Sequence, residues 1–119
     1  MMSRVGGLIA TALMLAACVS EPAPAWKSGD AAVGHQVAKD NCSSCHAVER
    51  TGDSPKLGAL PFRNILSGYR PDWLADDLHT SQAIAPGRMP VFHFGEGHEY
   101  DIIAWMLSIQ DAPIREPGE

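Results

Sequence analysis

Cysteine is scarce in this 119-residue chain: there are three, at positions 18, 42 and 45. Three thiols cannot make a disulfide framework. Cys18 closes an apolar leader run, so only two serve the body of the chain. A structural zinc site wants four ligands, usually from a second Cys-x-x-Cys or a His-x-x-x-His pair, and neither is present. No segment sustains period-two alternation, which argues against a sheet, and there is no internal repeat. Basic residues are also few: nine Lys and Arg face fourteen Asp and Glu, for a formal net charge of −5. Arg4 is the only one of the nine in the first 17 residues, so the remaining chain is more acidic still. Such a surface disfavours nucleic acid and suits a partner with a basic patch. The one long apolar run, Gly6 to Ala17, has twelve residues. A bilayer-spanning helix needs about 20. Behind Arg4, the run instead suits the core of a signal peptide over residues 1–17, and export is expected.

What is present centres on Cys42-Ser43-Ser44-Cys45-His46. Cys-x-x-Cys-His is the attachment signature of a c-type haem. Two thiols add to the two haem vinyl groups, and two intervening residues let both sulfurs reach one porphyrin edge. The next residue, His46, then falls under the iron as an axial ligand. A thioredoxin-like dithiol would need a βαβ setting, whereas the surrounding pattern is helical. A Cys42–Cys45 disulfide would close a very small loop for little entropic gain. Haem is the reading the residues favour, and its attachment outside the cytoplasm agrees with an exported chain.

At the leader's end, Leu15-Ala16-Ala17-Cys18 has the form of a bacterial lipobox, in which the cysteine is acylated and becomes the first mature residue. Several acyl chains on one residue hold a protein durably at a membrane. Ala23-Pro24-Ala25 offers an ordinary cleavage site instead, which would discard Cys18. Residues 18–28 are otherwise read as an extended tether, and residues 29–110 as the folded domain. Asp30 is expected to cap a helix over residues 31–41, with Gly34 marking a close helix contact. A helical turn is expected over 63–67, and a helix over about 72–81 with Pro71 in its first turn. The clearest helix is expected over 97–110, apolar on two sides and so deeply packed. Met89 falls in a Pro- and Gly-containing loop over 85–90. Residues 111–119 read as a loose polar tail.

These features together resemble a class I cytochrome c. Gly34 stands eight residues before Cys42, like the glycine of that family's N-terminal helix. Ile102-Ile103-Ala104-Trp105-Met106 resembles its C-terminal helix, with Trp105 at the aromatic position. Pro55-Lys56-Leu57 resembles the proline and leucine that follow the haem motif, and Met89-Pro90 resembles the Met-Pro of the distal loop. The resemblance implies an all-α fold of about four short helices around one covalent haem c. The terminal helices would cross, with Gly34 admitting the Trp105 ring. It also implies His46 and Met89 as axial ligands, Met106 being held in a packed helix. His93 is the rival to Met89. The other spare histidines, His35, His79 and His98, are expected to be surface or capping residues. Tyr69, Arg63 and Arg70 are candidate donors to the haem propionates.

Iron with both axial positions filled exchanges electrons and does not activate substrate, and a thioether ligand favours the ferrous state. The chain is thus expected to be no enzyme. It would be a monomeric, periplasmic single-haem electron carrier, tethered to a membrane through Cys18 and serving respiratory partners with basic patches. An accessory haem subunit of an oxidase or dehydrogenase is the alternative. A haem enzyme or gas sensor with a labile sixth ligand is a further one.

Overall fold

The computed structural model describes residues 18–80, 84–95 and 97–118. The signal-peptide reading therefore falls outside the described residues, as does the expected end of the third helix at Ser81. Four α-helices occur among the described residues, in the order α1 (Ala31–Asn41), α2 (Phe62–Ile65), α3 (Pro71–His79) and α4 (His98–Ser108), and no strand is present among them. The fold is all-α, as a cytochrome c fold requires.

Each helix begins where its residues dictate. The Asp30 carboxylate accepts the backbone N–H groups of Ala32 and Val33, at 2.8 and 3.0 Å. That satisfies two donors that a helix start otherwise leaves unpaired. Pro71 opens α3, where a missing N–H costs nothing. Gly97 precedes α4 with φ +86°, a left-handed backbone conformation that disfavours any residue with a Cβ. α1 spans the expected residues. α2, α3 and α4 differ from expectation by one to a few residues at their ends, where side-chain patterns constrain the backbone least.

α1 and α4, the first and last helices, share the largest contact in the fold. Two glycines make it possible. A Cβ on Gly34 would lie 1.8 Å from the Asp101 carbonyl oxygen, and one on Gly29 would lie 2.0 Å from that of Tyr100. The helices cross as expected, with Gly34 against the α4 backbone at Asp101 and Ile102. The Trp105 ring stacks on His35, the residue after Gly34, at a centroid distance of 4.1 Å. Its indole Nε1 donates to the Val48 carbonyl at 2.8 Å. Behind the crossing, Ile102, Ile103, Met106, Leu66, Leu74 and Phe62 form a buried core. Full burial of such a side chain contributes about 1.5–3 kcal/mol.

The extended-tether reading needs correction at its end. Ala25–Lys27 form a single 3-10 turn, and Trp26 is buried in the core beside α3 and α4. A lone aromatic residue in a polar stretch reads as a packing group, but it shows no periodicity from which the turn could be placed. The tail also begins less loosely than expected. Asp111 pairs with Arg63 at 3.1 Å, and the Asp111 N–H donates to the Arg63 carbonyl. Among the described residues, no helix is long and apolar enough to cross a membrane.

Candidate functional site

α1 ends at Cys42, whose N–H closes the last helical bond to the Ala38 carbonyl at 2.8 Å. The chain makes one more turn, in which the N–H groups of Cys45 and His46 both donate to the Cys42 carbonyl. The turn brings Cys42, Cys45 and His46 onto one cleft. Both cysteines are free thiols, so the disulfide reading does not describe this structure. Burial, and secondarily the neighbouring Cys45, pushes the Cys42 thiol up to about 11. Among the described residues, no group of three or more His, Cys, Asp or Glu is arranged to hold a metal ion.

His46 has a defined orientation. Its Nδ1 lies 2.6 Å from the Leu60 carbonyl oxygen. A carbonyl can only accept, so Nδ1 carries the proton and Nε2 keeps its lone pair for a metal. The ring also packs against Phe62, with centroids 5.7 Å apart. Phe62 is held in turn, because its N–H donates to the Ala47 carbonyl and its carbonyl accepts from Gln110 Nε2. This support was missed in the sequence. Lys56 and Leu57 of the Pro55-Lys56-Leu57 segment line the cleft, and the orienting carbonyl comes from Leu60, just before Pro61.

The cleft is apolar through most of its depth, lined by Leu74, Leu78, Ile102, Met106, Phe92 and Phe94 among others, with a volume of about 290 Å³. Met89 lines it too, from the loop between α3 and α4, and is half-buried. Met106 also reaches the cleft, but from within α4 and 3 % exposed. His93 is exposed and is not among the cleft-lining residues. His35, His79 and His98 pair with Glu49, Glu99 and Asp101 respectively.

Two of the three candidate propionate donors, Tyr69 and Arg70, are engaged with carboxylates, and the third, Arg63, only in part. The Tyr69 hydroxyl donates to Asp77, and Arg70 makes a two-point bond to Asp72 while lying over the Trp73 ring. Arg63 pairs with Asp111 through Nε and keeps one terminal nitrogen buried and without a hydrogen-bond partner. Tyr69 lines the cleft, whereas Arg63 and Arg70 are not among its lining residues.

An apolar cleft, two nearby thiols on its wall and an imidazole with one free nitrogen suit a covalently attached haem. The family model described as cytochrome c matches residues 31–110. No curated protein and no solved structure matches the chain.

Proposed function

The chain belongs to the cytochrome c family, whose members carry covalent haem c and transfer electrons through it, and from that premise we propose a periplasmic single-haem carrier with His46 and Met89 as axial ligands. What supports the ligand assignment is one observation. Cys42, Cys45, His46 and Met89 line a single apolar cleft, with the His46 imidazole oriented by the Leu60 carbonyl.

Haem c, when bound, supplies a ferric/ferrous couple that takes up and releases one electron. The chain's residues do the rest. Cys42 and Cys45 fix the group in place through sulfur. His46 presents Nε2, and Met89 offers a soft thioether that favours the ferrous state. Leu74, Leu78, Ile102 and Phe94 keep water out, which disfavours the extra charge of the ferric state. The helix crossing and the Gln110 bonds hold these groups still between the two states, so little rearrangement accompanies transfer.

Carbon monoxide distinguishes this carrier from a haem enzyme or sensor with a labile sixth position. The reduced protein should bind none at neutral pH, and rapid saturable binding would refute filled axial sites. The tether is tested separately. The Leu15-Ala16-Ala17-Cys18 pattern supports acylation at Cys18, and mass spectrometry of the mature N-terminus should find lipid there. An unmodified N-terminus at Trp26 would contradict it. The acidic net charge supports partners that carry basic patches.

A further inference from the structure

The loop that carries Met89 is secured at its two ends by packing. Ile84 and Phe94 both rest against the core, and Phe94 stacks on Phe92 with ring centroids 5.6 Å apart. The middle is different. Pro86, Gly87, Arg88 and Pro90 are exposed. The N–H groups of Arg88 and Met89 both turn back to the Ala85 carbonyl, a local turn that shapes the loop without tying it to the rest of the molecule.

Lys56 supplies such a tie. Its Nζ donates to the carbonyl of Arg88, the residue just before Met89, at 2.5 Å. Its backbone N–H donates to the carbonyl of Cys45 at 3.2 Å. One residue thus connects the cysteine motif on one side of the cleft to the methionine loop on the other, and Lys56 itself lines the cleft between them. The geometry points to Lys56 as a positioning residue for the sixth ligand. It acts as a strap across the cleft that holds the Arg88-Met89 peptide, and hence the Met89 thioether, against the haem-attachment side. This inference rests on Met89 being the ligand.

The reason the strap matters is chemical. A thioether is a weak ligand for ferric iron, so the loop's own stability decides how often the sixth position opens. The strap has little effect on the core, because Lys56 is exposed and Arg88 contributes nothing to the buried cluster. Loop opening should therefore become easier while global unfolding changes little.

The test uses the intact ferric holoprotein with imidazole as the competing ligand. Lys56→Met removes the donor and keeps most of the stem, and Lys56→Arg retains a donor of similar reach. Imidazole should bind Lys56→Met about three- to tenfold more tightly than the parent, the change expected from losing one hydrogen bond. Lys56→Arg should lie near the parent. The far-ultraviolet unfolding midpoints of all three should agree closely, which a merely structural role for Lys56 would not give. A thioether on ferric iron gives a weak charge-transfer band in the near-red; parent-like imidazole affinity in Lys56→Met, with that band present in the parent, overturns the strap alone. Absence of that band in the parent overturns the Met89 assignment and the strap with it.

Discussion

Gly34 shows how one missing carbon decides a helix contact. In an exposed helix, replacing glycine by alanine stabilises by about 1 kcal/mol. Here an added methyl would lie 1.8 Å from the Asp101 carbonyl oxygen, far inside contact distance, and what it meets is backbone. Overpacking of this kind costs about 1–3 kcal/mol or more, so the steric term wins. Gly34→Ala is expected to lower the thermal midpoint, by roughly 4–8 °C for each kcal/mol lost in a domain of this size. A raised midpoint in calorimetry would show that the crossing is looser than described. Tyr69 makes a second test at a single residue. Burial, followed by the hydrogen bond to Asp77, pushes its phenol from 10.0 up to about 12. The folded state thus holds its proton more tightly than the unfolded chain. Its contribution to stability is complete below pH 10 and is lost as the pH rises toward about 12. Denaturant midpoints between pH 9 and 11.5 should fall less steeply in Tyr69→Phe than in the parent, and equal slopes would discount the Tyr69–Asp77 bond.

Among the elements, α3 and α4 bracket the loop that carries Met89, and a buried charge joins them at that end. Glu99, in the first turn of α4, is 2 % exposed and is the only charged residue in the described core. His79, the last residue of α3, reaches it with Nδ1 at 2.8 Å and stacks on Tyr100. In sequence Glu99 looks no different from Asp101, the other acidic residue in that first turn, because position alone says nothing about which acidic residue will face inward. His79→Ala removes this partner from a buried carboxylate, which should cost about 1–3 kcal/mol, while His79→Gln keeps a donor and should recover part of the loss. Equal melting of His79→Ala and the parent would mean that Glu99 does not depend on the pair. The helices themselves were legible wherever local chemistry marks them. Asp30 as a cap, Pro71 at a first turn, and the apolar arc from Ile102 to Ile109 are signals carried by neighbouring residues. The turn at Ala25–Lys27 and the second contact glycine, Gly29, were not legible. Each depends on α4, more than seventy residues away, and leaves no trace in local periodicity.

For the whole molecule, the five-residue motif and the order of features around it were enough to indicate the fold. Chain order survives folding, and each feature announces its own chemistry. The supporting shell was much less visible. The Leu60 carbonyl on His46, the Gln110 bonds to Phe62 and Met106, and the diversion of Tyr69 and Arg70 to carboxylates all join residues distant in sequence or rely on backbone groups that every residue has. Charge is also unevenly distributed. The chain is acidic overall, yet among the described residues the charged side chains lining the cleft, Lys56 and Arg88, are both basic.

The central claim is that haem held by Cys42 and Cys45 is ligated by His46 and Met89. The visible and near-red absorption spectrum of the purified ferric protein, recorded beside Met89→Ala, addresses it most directly. A thioether on ferric iron gives a weak charge-transfer band in the near-red. The band should be present in the parent and absent from Met89→Ala, whose reduced form should gain carbon monoxide binding. A parent without the band, or a band that survives the substitution, would contradict the assignment and make His93 the next ligand to test.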